Sequence, residues 1–163
     1  MRRKLTVPTI ADVYRAIPTP ITAVAARVGE QDIAMVLSSF VALSDDPALV
    51  GISVKRGSST WPLLREATSL GINILTGGHS GLIDSYSLPS HERLVGSTYR
   101  ADAGAIIIAD APTSLVCHIE REIEMGDHIF VVLAVDNVLH DPKIGRPIVH
   151  HQRRVTELME YQI

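Results

Sequence analysis

The turn signals of this chain come too close together for a helical protein. Gly29-Glu30, Asp45-Asp46-Pro47 and Gly126-Asp127 each separate two short apolar runs, the spacing that makes hairpins. On this reading Ile21 to Arg27 and Ile33 to Val41 are partner strands. Ala48 to Val54 is a third, apolar on both faces and so flanked by neighbours. Ile72 to Leu75, Ala105 to Ala109, Ser114 to Glu124 and Ile129 to Leu139 follow, with Pro147 to Val155 as the last strand. Helical period is confined to short pieces. Thr9 caps a helix through about Ile17 that carries Ile10, Val13, Tyr14 and Ile17 on one face. Ser58-Ser59-Thr60 caps another, with Pro62 in its first turn, Leu63, Leu64 and Ala67 as its buried stripe and Gly71 as its stop. Ser80 to Tyr86 is the third, and Leu88 to Asp102 shows no period. Strands joined by tight turns predict a mainly β chain, an antiparallel barrel with a few helices rather than a doubly wound sheet.

Length and charge narrow the function. A chain of 163 residues is one domain at roughly 150 residues each, here with the barrel over 10–155 and short tails. Lys and Arg number 15 against 18 Asp and Glu, a net charge of −3, which argues against a nucleic-acid reader. No apolar run follows the basic start Met1-Arg2-Arg3-Lys4, and no window offers a membrane span. The single cysteine, Cys117, sits in a strand pattern as a buried, inert thiol; it excludes a disulfide framework and makes the cytoplasm the expected compartment.

Familiar catalytic signatures are missing. There is no G-x-G-x-x-G after a strand, no phosphate-binding G-x-x-x-x-G-K and no H-E-x-x-H. Ser80 lacks the second glycine of a nucleophile elbow. His150 and His151 are adjacent, so on a strand they face opposite ways and share no metal. His79, His91 and His140 fall in loop-like surroundings and read as solvated.

What remains is a polar constellation. Lys55-Arg56-Gly57-Ser58-Ser59-Thr60-Trp61-Pro62 ends a strand in cations, adds three hydroxyls and opens a helix. Helix N–H groups, hydroxyls and a cation suit a phosphate, although an ordinary capped helix has the same pattern. Ser38 and Ser39 put two hydroxyls in an apolar strand, and one turned inward needs a backbone carbonyl or a polar ligand edge as partner. Gly126-Asp127-His128 closes a hairpin with an imidazole at the start of the next strand.

Seven segments, in order, resemble the flavin reductase family, the reductase components of two-component flavin monooxygenases. Pro18-Thr19-Pro20-Ile21-Thr22-Ala23-Val24 is similar to the family's P-T-G-V-T-x-V, and Ala34-Met35-Val36-Leu37-Ser38-Ser39-Phe40 to G-M-T-V-S-S-F. Asp46-Pro47-Ala48-Leu49-Val50 resembles D-P-P-L-V. Ser58-Ser59-Thr60-Trp61-Pro62-Leu63-Leu64 reproduces S-S-T-W-P-L-L, and Gly71-Ile72-Asn73-Ile74-Leu75 follows it. Gly126-Asp127-His128 matches G-D-H, and Arg146-Pro147-Ile148-Val149-His150-His151 resembles R-P-L-V-Y-H. The likeness runs from about Tyr14 to Val155. Val36 replaces a family Thr and cannot hydrogen-bond a flavin; Ala34, Pro20 and Ala48 also depart, and Arg93-Leu94-Val95 stands for R-F-A.

The resemblance implies a split β-barrel of the FMN-binding, Greek-key type. It implies an NAD(P)H-dependent flavin reductase using FMN or FAD with NADH or NADPH, a homodimer, and a flavin-dependent monooxygenase as partner. Met35, Val36, Leu37, Ser38 and Ser39 are then expected along the flavin. Ser53 and Lys55 are expected beside its ribityl phosphate, with Ser58, Ser59 and Thr60 at the phosphate and Arg93 nearby. His128 is the catalytic candidate that seats the nicotinamide, and Gly126, Asp127 and His151 are further cofactor contacts. A flavin carrier without reductase activity, on the same barrel, is the alternative.

Overall fold

The computed structural model describes residues 9–159, so the basic start Met1-Arg2-Arg3-Lys4 lies outside the described residues. Strands dominate, as the turn spacing predicts. In chain order they are β1 (Thr19–Pro20), β2 (Thr22–Val28), β3 (Gln31–Leu37), β4 (Val41–Asp45), β5 (Ala48–Lys55), β6 (Leu70–Ile74), β7 (Tyr99–Asp102), β8 (Ala105–Ile108), β9 (Thr113–Met125), β10 (His128–His140), β11 (Ile148–His151) and β12 (Arg154–Glu157). Three short helices join them: α1 (Ile10–Arg15), α2 (Trp61–Leu64) and α3 (Ser80–Asp84). Every strand pairing is antiparallel. The large sheet runs β4-β5-β10-β9-β6-β2-β8-β7, with β3 on β2, and β1, β11 and β12 form a smaller one. The expected last strand is thus a hairpin, β11 with β12, reversed at Gln152-Arg153 where both residues have positive φ.

Strand β2 explains why one chain builds two cores. Its side chains alternate between them: Val24 and Ala26 join Ile52, Trp61, Leu64 and Leu133, while Ala23 and Ala25 join Leu75, Ile106 and Ile148. Three alanines in one strand keep its neighbours close. β8 approaches so closely that a Cβ on Gly71 would overlap the carbonyl of Ile106. Gly71 is therefore a strand residue of β6 selected by tight packing, not the helix stop expected from the sequence; α2 ends at Leu64.

One buried side chain ties four strands. The amide of Asn73, fully buried on β6, donates to the carbonyls of Ala23 (3.3 Å) and Ile106 (3.0 Å). Its Oδ1 accepts from the Ile108 N–H (2.9 Å) and the Ser114 hydroxyl (2.8 Å). Complete satisfaction lets a polar group sit in the core without the penalty of an orphan.

The N-terminal helix forms for the predicted reason. Thr9 accepts from the Asp12 N–H while the Asp12 carboxylate reaches back to Thr9, a reciprocal capping box. Its apolar face, however, is exposed: Ile10, Val13, Tyr14 and Ile17 are all more than two-fifths accessible. His79 differs from its expected solvation. Its Nδ1 accepts from the Thr76 N–H at 3.0 Å and its Nε2 lies 2.9 Å from the Ala109 carbonyl, so the ring clips two loops together. His91 and His140 are exposed as expected, although His140 ends β10 and meets the Thr113 hydroxyl. Cys117 is fully buried, and that burial pushes its thiol up to about 12.

Candidate functional site

A cleft of about 530 Å³ opens between the end of β3, the end of β5 and the turn that precedes α2. It brings together Met35, Val36, Leu37, Ser38, Ser39, Ser53, Lys55, Ser58, Ser59, Thr60, Arg93 and His128. One wall is the strand Met35–Leu37, mostly apolar. Lys55 and the three hydroxyls stand together at one end. An elongated ligand with a planar apolar body and a charged tip suits such a lining.

The hydroxyls are not equivalent. Ser39 donates to the Ser53 carbonyl (2.8 Å) and accepts from the Ser53 N–H (2.9 Å), so it takes the place of a missing strand partner along β5. Its polarity is spent on the fold, whereas Ser38 is exposed to the cleft. The Ser58 oxygen accepts from the N–H groups of Thr60 (3.3 Å) and Trp61 (3.1 Å). The helix N–H groups expected to meet an anion directly are therefore occupied, and α2 is only four residues long. They act at one remove, because a hydroxyl that accepts from the backbone keeps its own proton to donate. Thr60 is similar: its oxygen accepts from Arg93 Nη1 at 3.3 Å and its proton remains available.

Two glutamates of β9 hold this turn. Glu124 pairs with Arg56 before it. Glu122 accepts from the indole Nε1 of Trp61 (2.7 Å) after it and also pairs with Arg65. Trp61 itself is buried. Both neighbouring arginines are thereby neutralised, which leaves the ammonium of Lys55 as the cation presented to the cleft by this segment.

His128 faces Lys55 across the β5–β10 ladder. Its Nδ1 lies 2.7 Å from Asp127 Oδ1, and this hydrogen bond holds the Asp127 carboxyl below its ordinary range. Asp127 is exposed and Gly126 provides the positive φ (63°) of the turn. Neither lines the cleft; Asp127 reaches it only through His128. His151 lies on β11, in the smaller sheet, and is also not among the lining residues. Its strand pairs with β1 and β12 in that smaller sheet.

Arg93 lines the cleft but its guanidinium is largely committed. It donates to the carbonyls of Leu88 (3.0 Å) and Ala34 (3.0 Å) besides Thr60, and its Cζ lies 5.3 Å from the ring centre of Tyr86. Val54, Gly57 and Tyr86 complete the lining without having been expected there. Gly57 sat inside the polar segment and could have been included. Tyr86 had no local signal, because an aromatic at the end of a short helix is usually core.

An open antiparallel split barrel with a nucleotide-sized, phosphate-suited cleft defines a class of ligand-binding β proteins. Within it the sequence relationship is specific: the model of the "Flavin reductase like domain" matches residues 14–159, and the chain belongs to that family. It is 30% identical over 151 residues to the NADH-dependent FMN reductase AsuE2 of Streptomyces nodosus subsp. asukaensis, covering 88% of this chain and 80% of that one. It is 28% identical over 139 residues to the 4-hydroxyphenylacetate 3-monooxygenase reductase component of Thermus thermophilus, covering 85% and 88%. The fold matches nitrilotriacetate monooxygenase component B of Mycobacterium thermoresistibile with a TM-score of 0.85 at 22% identity, over 91% of this chain and 84% of that one.

Proposed function

We propose that the chain is an NAD(P)H-dependent flavin reductase that delivers reduced FMN or FAD to a partner monooxygenase. The observation that carries the reading is the cleft: a mostly apolar strand wall leads to a turn with one presented cation and two hydroxyls whose protons face no protein acceptor. A planar ring with a phosphate tail fits that lining, so the residues suit a flavin. Family membership and the relatives named as an FMN reductase and as a monooxygenase reductase component support the same reading.

With both cofactors bound, the chemistry supplied is hydride transfer from nicotinamide C4 to flavin N5, which asks the protein for orientation rather than for an acid or base. Met35, Val36, Leu37 and Ser38 hold the ring. Lys55, Ser58, Ser59 and Thr60 hold the phosphate. Ser53 and Ser39 keep the two strands in register beneath it. His128, its ring fixed by Asp127, seats the nicotinamide, and Arg93 bears on the phosphate through Thr60. Binding energy spent on a phosphate far from the reacting atoms fixes the ring without gripping it, which suits release to an oxygenase. The exposed apolar face of α1 supports a homodimer, which light scattering on the purified chain tests.

NADH or NADPH oxidation by flavin-stripped protein, with FMN, FAD or no flavin, is the test. Turnover that requires added flavin is expected. Flavin binding without turnover identifies a carrier instead, a reading favoured by Val36 where a hydrogen-bonding Thr is usual. Neither binding nor turnover overturns both.

A further inference from the structure

Tyr86 is unexplained by the fold. It is 63% exposed, yet it lines the cleft rather than the outer surface. One contact fixes it: the guanidinium of Arg93 over its ring at 5.3 Å, within reach of a cation–π interaction. Arg93 is in turn bonded to Thr60 and to the Ala34 and Leu88 carbonyls. The ring is therefore held beside the hydroxyl-rich end of the cleft, with most of its surface open to solvent.

Resting on the flavin reading of the cleft, we propose that Tyr86 is an adenine platform: it stacks the purine of FAD, whose phosphates lie at Ser58 to Thr60. An aromatic ring held next to a phosphate site matches the one chemical step by which a dinucleotide exceeds a mononucleotide. In FAD the adenosine lies beyond the phosphates. Stacking needs no hydrogen-bonding edge, so an exposed ring with one face backed by a cation is sufficient. Arg93 acts as the positioning residue, because it sets the ring without facing the purine.

The test compares FAD with FMN in wild type, Tyr86→Ala and Tyr86→Phe. Affinities of flavin-stripped protein for the two flavins are measured by fluorescence quenching. Loss of one base stack predicts that Tyr86→Ala lowers the FAD-to-FMN affinity ratio roughly tenfold, and that Tyr86→Phe restores it. An unchanged ratio, equal losses for FAD and FMN, or failure of Tyr86→Phe to restore the ratio overturns the proposal and leaves the flavin reading standing. Wild-type protein that binds FMN but discriminates against FAD also overturns it. Wild-type protein that binds no flavin at all overturns the reading of the cleft itself.

Discussion

Two segments border the cleft and are held in opposite ways. The turn Arg56 to Trp61 is fastened from outside by Glu122 and Glu124 of one long strand, and its inward hydroxyls are left for a ligand. The segment Ser85 to Ser97 has little regular structure and is held by the buried Leu94, by the Ser90 carbonyl accepting from the Ala34 N–H, and by Arg93, which spends its donors on Leu88, Ala34 and Thr60. The first segment is rigid and offers donors. The second gives the cleft Tyr86 and Arg93, and the Arg93 cation ties its cleft side to β3 and the turn. A binding site of this kind divides the work: charge and hydroxyls on a fixed turn, shape on a segment with little regular structure.

Breaking the inner fastening has the largest expected effect. Arg93→Ala leaves the Ala34 carbonyl and Thr60 hydroxyl without their donor and costs roughly 2–3 kcal/mol. Hydrogen exchange in Ser85 to Ser97 accelerates, while protection in β2, β6 and β9 falls only with global stability. Affinity for FMN drops, and affinity for FAD drops further because the Tyr86 ring loses its cation. Breaking the outer fastening comes next. Glu122→Ala orphans the buried Trp61 indole N–H, at a cost of about 1–3 kcal/mol by chemical denaturation. Because the turn holds only the phosphate, FMN binds more weakly and riboflavin does not.

A smaller effect lies outside both segments. The Arg27 guanidinium, with a bidentate bond to Asp32, holds that carboxyl below its ordinary value of 3.8, and the Tyr99 hydroxyl adds to it at 2.6 Å. A lowered carboxyl contributes stability that is complete above the ordinary value and is lost as pH falls through the lower, folded one. Asp32→Asn therefore lowers the Tm at pH 7, and the gap from wild type closes as the pH falls below about 3.9. A gap that widens in acid contradicts the ion pair.

How much of this was legible in sequence depends on the range of the cause. The strands and tight turns follow from alternation and from glycines such as Gly126, so they were readable. The hydroxyl turn was readable as chemistry, but its wiring was not: that Ser58 intercepts the backbone N–H groups of α2 depends on local geometry. Gly71 was misread because its reason, the approach of β8, comes from a strand far along the chain. His151 carried a motif, yet the pairing of β11 with β1 takes it to the other sheet. Glu122 was invisible for the same reason, since it acts on Trp61 far along the chain, and Tyr86 was invisible because an aromatic at the end of a short helix gives no local sign of lining a cleft.

The central claim is that the turn at Lys55 to Thr60 holds the phosphate of a flavin. It is tested most directly by titrating flavin-stripped wild type and the double variant Lys55→Ala, Ser59→Ala with FMN and with riboflavin. Loss of a charged contact and a hydroxyl donor predicts FMN binding weakened about tenfold or more, with riboflavin binding the same to both proteins. Equal weakening of both ligands, or no change in either, contradicts a phosphate site at this turn.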